Sequence, residues 1–277
     1  MAFRGAFHGR TSGAVAATDN PKIVAPFNAG HAISFVDYDL KAVAEILRGG
    51  DVCAVIVEPI QGVGGIIMPY DDFLQGLSLL CGAHNVILIA DEVQSGYGRS
   101  GKFFAHQHAG IRPDIISVAK GMGNGFPIGG ILIAPALKAS YGLLGTTFGG
   151  NHLACAAALA VLEVIEDENL LAHVTEMGDH LRTELLTHAG AEEIRGRGLM
   201  VGIKYDFPIK EIRDKLLSEY HIFVGNASDP TVLRLLPPLN ITKGEIDRFL
   251  KALFALTLPT SPPGPLSKKE GEPALKK

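Results

Sequence analysis

Cysteine is scarce in this 277-residue chain: Cys53, Cys81 and Cys155 stand far apart, and no two have the spacing of metal ligands. Each falls in apolar surroundings, which predicts three reduced core thiols in a cytoplasmic protein. Long apolar runs are missing too. None approaches the roughly 18 residues that a membrane helix needs, and the first ten residues hold no signal-peptide core. The net charge is only −4 and basic residues form no run before the tail, so neither nucleic acid nor an anionic membrane is expected as a partner. The ten histidines show no HExxH pattern, which argues against zinc. There is no GxGxxG fingerprint, no P-loop and no GxSxG elbow.

What is present is a globular composition, 47% apolar and 19% charged, enough for one large domain or two ordinary ones. Val86-Ile87-Leu88-Ile89-Ala90 is apolar without alternation, as in a strand buried on both faces of a parallel sheet, and it halts at Asp91. Cys53-Ala54-Val55-Ile56-Val57 halts likewise at Glu58, and Ile115-Ile116-Ser117-Val118-Ala119 at Lys120. Ligands of open α/β sheets bind beyond the carboxyl ends of strands, so three ionisable side chains are expected at one edge. An acid or a lysine in that position is by default only the first solvated residue of a loop. Lys120 departs from that default, because Val118-Ala119 and Gly121-Met122-Gly123 bring no other charge, and a partly desolvated lysine becomes a usable amine.

Met1-Ala2-Phe3-Arg4 reads as the end of a strand, and residues 12–37 as a long irregular excursion. A short amphipathic helix carries Leu40, Val43 and Leu47 and stops at Gly49-Gly50. Asp71-Asp72 is expected to cap the helix that holds Phe73, Leu74, Leu77 and Cys81. Strand, helix, strand is the grammar of a parallel sheet. Gly129-Gly130-Ile131-Leu132-Ile133-Ala134 reads as a further core strand, and Asn151 caps a helix with apolar residues from Leu153 to Ile165. A helix over 170–188, a glycine bend into a strand near 203, a helix over 209–220, a strand over 232–236 and a helix capped by Thr242 follow as an α+β unit. The division expected is 1–150, 151–257, and a disordered tail over 258–277 rich in Pro, Ser, Lys and Glu.

A carboxylate, a lysine, glycine-rich turns and the Thr146-Thr147 hydroxyls ahead of a helix start are the parts that pyridoxal phosphate requires. Other uses of these parts stay open on physical grounds alone. The motifs narrow them: Phe7-His8-Gly9-Arg10, Glu58-Pro59-Ile60-Gln61-Gly62, Asp91-Glu92-Val93-Gln94-Ser95-Gly96-Tyr97-Gly98-Arg99, Ala119-Lys120-Gly121 and Thr147-Phe148-Gly149-Gly150-Asn151 occur in that order. The chain thereby resembles the class III pyridoxal-phosphate aminotransferases, and within them the acetylornithine/ornithine (succinylornithine) branch, from residue 1 to about 256.

The resemblance implies an α/β fold-type-I homodimer with a mostly parallel large domain, incomplete here, and a smaller C-terminal α+β domain. It implies Lys120 as Schiff-base lysine and proton shuttle, Asp91 on the pyridinium and Gln94 on the ring hydroxyl. Phe7 and Val93 would flank the ring, with Glu92 also at the cofactor. Thr147 would reach the phosphate of the partner subunit's cofactor, Thr146 would lie near the substrate, and Arg10 and Arg234 would hold substrate carboxylates. The implied reaction passes an amino group from an acylated ornithine to 2-oxoglutarate in arginine metabolism, without metal. A 4-aminobutyrate or other ω-amino-acid transaminase shares these motifs, and an inactive remnant serving as a binding module is the reading outside the class. Two departures stand out. Val63 replaces a glutamate that many relatives carry opposite the Arg234 position. The family's N-terminal segment, with its phosphate-binding loop and helix, is absent, from which weak cofactor binding and impaired turnover by this chain are expected.

Overall fold

The computed structural model describes residues 1–138, 140–143, 145–187 and 190–257, so the expected tail over 258–277 lies outside the described residues. Strand β1 (Ala2–Phe3) runs parallel to β2 (Phe35–Val36). The stretch between them is more ordered than its glycines and prolines suggested. It holds helix α1 (Ser12–Ala16) and two 3-10 turns, and buried Thr18 ties it together: Oγ1 accepts from His8 N at 2.9 Å and donates to Ala14 O at 3.0 Å.

Helix α2 (Leu40–Arg48) starts where Asp39 accepts from Lys41 N at 2.8 Å, and it buries Val43 and Leu47. Then come β3 (Ala54–Val57), α3 (Asp71–His84), β4 (Ile87–Asp91), β5 (Ile115–Val118) and β6 (Gly130–Ile133). The four strands form one sheet in chain order. The first three are parallel, and β6 returns antiparallel to β5. Val57 lies opposite Ala90, and Asp91 opposite Ser117. Val55, Val57, Leu88 and Ala90 are buried, with Leu77 and Cys81 of α3 packed on them.

Three expectations need correction. Tyr70, not an aspartate, occupies the cap position of α3; Asp71 and Asp72 fall in the first turn, where their charge favours the positive end of the helix dipole. Cys53 precedes β3 and is exposed, as is Cys155, so only Cys81 is a core thiol. All four residues of β6 are exposed, so this apolar run is not a core strand: it is a sheet edge with no neighbour beyond it among the described residues.

Helix α4 (His152–Asp167) is capped by Asn151 Oδ1, which accepts from Ala154 N at 2.9 Å. After α5 (Leu170–Leu186) come β7 (Glu193–Arg197), β8 (Met200–Lys204), α6 (Lys210–Ser218), β9 (Gly225–Asn226), β10 (Val232–Leu235) and α7 (Lys243–Thr257). The strands make an antiparallel sheet in the order β7-β8-β10-β9. Leu181, Leu185, Val201, Ile203, Leu216, Leu233, Leu250 and Leu253 form its core with the helices. A reciprocal cap opens α7: Thr242 N donates to Glu245 Oε2 at 2.8 Å, and Glu245 N to Thr242 Oγ1 at 3.3 Å.

Specific bonds hold the second sheet against the loops of the first. Arg195 Nε donates to Gly65 O at 2.9 Å, Ser228 N to Val63 O at 2.9 Å, and Arg197 Nη2 pairs with Asp71 Oδ2 at 2.7 Å. They bring β10, and with it Arg234, to the carboxyl edge of β3 and β4.

Candidate active site

Parallel register does the first part of the assembly. Because Val57 and Ala90 are paired, Glu58 and Asp91 leave adjacent strands at one level, and Lys120 leaves β5 beside them. Lys120 opens a 3-10 turn, Lys120–Gly123, at φ 46°, a left-handed backbone that is unfavourable for a side-chain-bearing residue. Such strain is tolerated where the surroundings fix it, here the tight turn between β5 and β6.

Asp91 is buried and held on both oxygens. Oδ1 accepts from Val93 N at 3.1 Å and Ser117 Oγ at 3.0 Å, while Oδ2 lies 2.7 Å from His8 Nδ1. The His8 side chain is itself only 1% exposed, and its Nε2 is buried without a partner among the described residues. Glu58 is also buried: Oε1 accepts from Phe7 N at 2.9 Å and Oε2 from Gly62 N at 3.1 Å. Burial pushes its carboxyl up to about 7, against the pull of His8 and of the two backbone amides.

Burial likewise lowers the basicity of Lys120. Arg234 acts in the same direction, and Asp91 and Glu58 oppose it. Asp91, Glu58 and Arg234 thus all act on Lys120. Burial also depresses Arg234, whose Nε and Nη1 are buried with no partner among the described residues. A buried guanidinium with unanswered donors suits a carboxylate ligand, which takes two parallel bonds from the fork.

A cavity of about 570 Å³ opens between the Lys120 turn, α4 and residues 236–240. Gln94, Tyr97, Arg99 and Lys120 line it, and Asp91 does not. Burial lowers Arg99 to about 10, and its Nη1 donates to Pro237 O. Gln94 lies so close to Gly62 that a Cβ there would overlap its carboxamide, so the bare glycine is what admits this side chain.

The structure thus gathers Lys120, Asp91, Gln94 and Arg234, with Phe7 and Val93 attached through backbone bonds to Glu58 and Asp91. Glu92 is reached as well but turned away: its oxygens accept from Ser95 Oγ, Ala105 N and His106 N and contact His106 Nδ1, so they are spent on the loop over 92–106. Arg10, Thr146 and Thr147 lie exposed and share no hydrogen bond or ion pair with the cluster among the described residues; Thr146 Oγ1 accepts from Gly149 N instead. His8 and Ser117 escaped the sequence reading. Ser117 had a signal, a lone hydroxyl inside an apolar strand, whereas His8 meets a partner 83 residues away.

The Aminotransferase class-III family profile matches residues 1–256. This chain belongs to the class III aminotransferases. It is 41% identical over 259 residues to the acetylornithine aminotransferase of Mycobacterium leprae, covering 91% of this chain and 64% of that protein. With the acetylornithine aminotransferase of Methanocaldococcus jannaschii the identity is 42% over 258 residues, 90% of this chain and 64% of that one. The ornithine aminotransferase of Toxoplasma gondii superposes with a TM-score of 0.81 at 32% identity, covering 92% of this chain and 64% of that chain. The chain therefore spans about 64% of the length of these relatives. The class III aminotransferase fold, fold type I, accounts for the mostly parallel first sheet, and pyridoxal phosphate is the cofactor of the class. The residues present fit that group. They offer a lysine of lowered basicity, a buried carboxylate fixed on both oxygens, and a glycine cradle that admits Gln94.

Proposed function

We propose that this chain serves the transamination of an acylated ornithine, acetylornithine or succinylornithine, with 2-oxoglutarate, giving the semialdehyde and glutamate. The observation that carries the reading is the cluster at the carboxyl edge of three adjacent parallel strands, in which the charges of buried Asp91 and Glu58 and of half-buried Arg234 all act on Lys120. Pyridoxal phosphate, when bound, supplies an electron sink that lets the carbon bearing the amino group lose a proton. Lys120 Nζ, less basic than an ordinary lysine, takes that proton and delivers it on the same side of the site. Asp91 offers its carboxylate to a protonated ring nitrogen, steadied by Ser117, Val93 and His8. Gln94 would face the hydroxyl of the bound ring, and Phe7 and Val93 would bound the two faces of that ring. Arg234 receives the substrate carboxylate with the donors it leaves unanswered, and Arg10 and Thr146 complete the substrate side.

In this reading the chain works in the cytoplasm as a homodimer in which Thr147 reaches the partner's phosphate, and its division falls at 150/151. Val63, whose carbonyl accepts from Ser228 N, stands where the family resemblance implies a glutamate opposite Arg234. With valine there the anion site stands open, which suits acylated donors and does little to exclude free ornithine. Glutamate formation from 2-oxoglutarate, measured with acetylornithine, succinylornithine, ornithine and 4-aminobutyrate, tests the assignment. The acyl-ornithines are expected to lead, and Val63→Glu to change the ratio between acylated and free ornithine about tenfold or more. A lead for 4-aminobutyrate, or an unchanged ratio, contradicts it.

A further inference from the structure

Glu58 touches neither the cavity nor the Lys120 amine, yet it joins two loops that frame the site. Its two oxygens accept from backbone amides 55 residues apart: Oε1 from Phe7 N, just beyond β1, and Oε2 from Gly62 N, just beyond β3. Each amide belongs to a residue with work to do nearby, since Phe7 belongs to the ring face in the proposed function and Gly62 is the bare backbone on which Gln94 rests. A second strut runs alongside, Gln61 Nε2 donating to Arg4 O at 2.8 Å. The loop carrying Phe7 is held on its other side by His8, whose N donates to Thr18 Oγ1 at 2.9 Å and whose Nδ1 lies 2.7 Å from Asp91 Oδ2, while Phe7 itself is only partly buried.

We propose that Glu58 is a positioning residue: its carboxyl group latches the Phe7 backbone to the Gly62 backbone and, beside the Gln61 strut, shapes the crevice that takes the cofactor ring. The inference rests on the functional reading above for the identity of the ring. A carboxylate accepts on both oxygens at once, whereas a carboxylic acid must commit one oxygen to its own proton and accepts more weakly on the other. The two bonds strengthen as Glu58 ionises, but loss of water costs the buried charge more than they return, so the closed latch holds its proton and loosens as pH rises through about 7. The groups that set when this happens come from every element around it: His8 after β1, Tyr38 before α2, Asp91 at the end of β4, Lys120 after β5 and Arg234 on β10. Burial places the transition near neutrality.

Hydrogen exchange resolved to single amides, on the full chain without cofactor, reads the latch directly. After correction for intrinsic rates, protection of the Phe7 and Gly62 amides is expected to fall about tenfold from pH 6 to pH 8. The Ala154 amide, held by the non-titrating Asn151 side chain, is expected to stay flat. Glu58→Gln should abolish the fall at both amides; should that variant fail to fold, the wild-type pH series decides alone. In parallel, the dissociation constant of pyridoxal phosphate, followed by its absorption, should rise several-fold over the same interval in the wild type and stay flat in Glu58→Gln. Protection that ignores pH at both amides overturns the latch. Protection that falls as pH rises while wild type and Glu58→Gln bind the cofactor equally overturns the positioning role. Protection that falls as pH rises, with no cofactor binding by the wild type at any concentration, supports the latch and overturns the functional reading instead.

Discussion

At Glu58 burial and hydrogen bonding pull in opposite directions: two backbone amides favour the carboxylate, and loss of water disfavours it more, leaving the group titrating near 7 instead of 4.5. The sign of the consequence follows from linkage. Between about 4.5 and 7 the folded chain retains a proton that the unfolded chain has released, so stability falls as pH rises through that window. The full span is on the order of 3 kcal/mol. Glu58→Gln has no such proton to lose. Thermal unfolding of the two proteins from pH 5 to pH 8 should therefore show the wild type losing ground to the variant, and a constant gap in Tm would refute the burial argument. Lys120 and Arg234 carry the converse burden, since partial burial disfavours the cationic form of each. A site that keeps two strained cations and a strained acid within reach of one another holds poorly solvated charge that an anionic ligand can relieve.

Among the elements, the β7–β8 hairpin is the most constrained by backbone alone. Gly196 sits at φ 122° and pairs with Val201, and a Cβ there would overlap Met200 O. Gly196→Ala should cost about 2–4 kcal/mol, measured by urea unfolding, because neither the dihedral nor the carbonyl can yield cheaply. A cost under about 0.5 kcal/mol would show that the hairpin relaxes. The same scale explains what the sequence could and could not reveal. Strands β3, β4 and β5 were legible because continuous apolar runs with ionisable residues at their ends fit one arrangement, a parallel sheet with its functional edge at the carboxyl side. Strand β6 misled for the same reason: Ile131, Leu132 and Ile133 look like core, but burial depends on what lies against them, and periodicity does not encode a neighbour. The cap of α3 went to Tyr70 because Asp71 and Asp72 already lie in the first turn. The Asp91–His8 pair and the Glu58 latch were invisible for a third reason, since each joins residues 51 or more positions apart.

For the molecule as a whole, the apolar surface left open is concentrated on β6, the segment following it and α4: Ile131, Leu132, Ile133, Leu143, Phe148, Leu153 and Leu159 are all exposed. Exposed apolar surface of this extent, beside a strand edge with no partner among the described residues, favours association. Sedimentation of the chain at micromolar concentration should show dimers or larger species, and a monomer at every concentration would argue that the face is self-sufficient. Among the described residues no helix is long and apolar enough to cross a membrane, and no cluster of His, Cys, Asp and Glu could hold a metal. The central claim is that Lys120 and Asp91 serve one pyridine ring. Titration of the purified chain with excess pyridoxal phosphate, followed in the visible and near ultraviolet, tests it most directly. The account predicts an absorption shift that Lys120→Ala abolishes and that Asp91→Ala moves or weakens. A shift that survives in Lys120→Ala, or that is indifferent to Asp91, would contradict it.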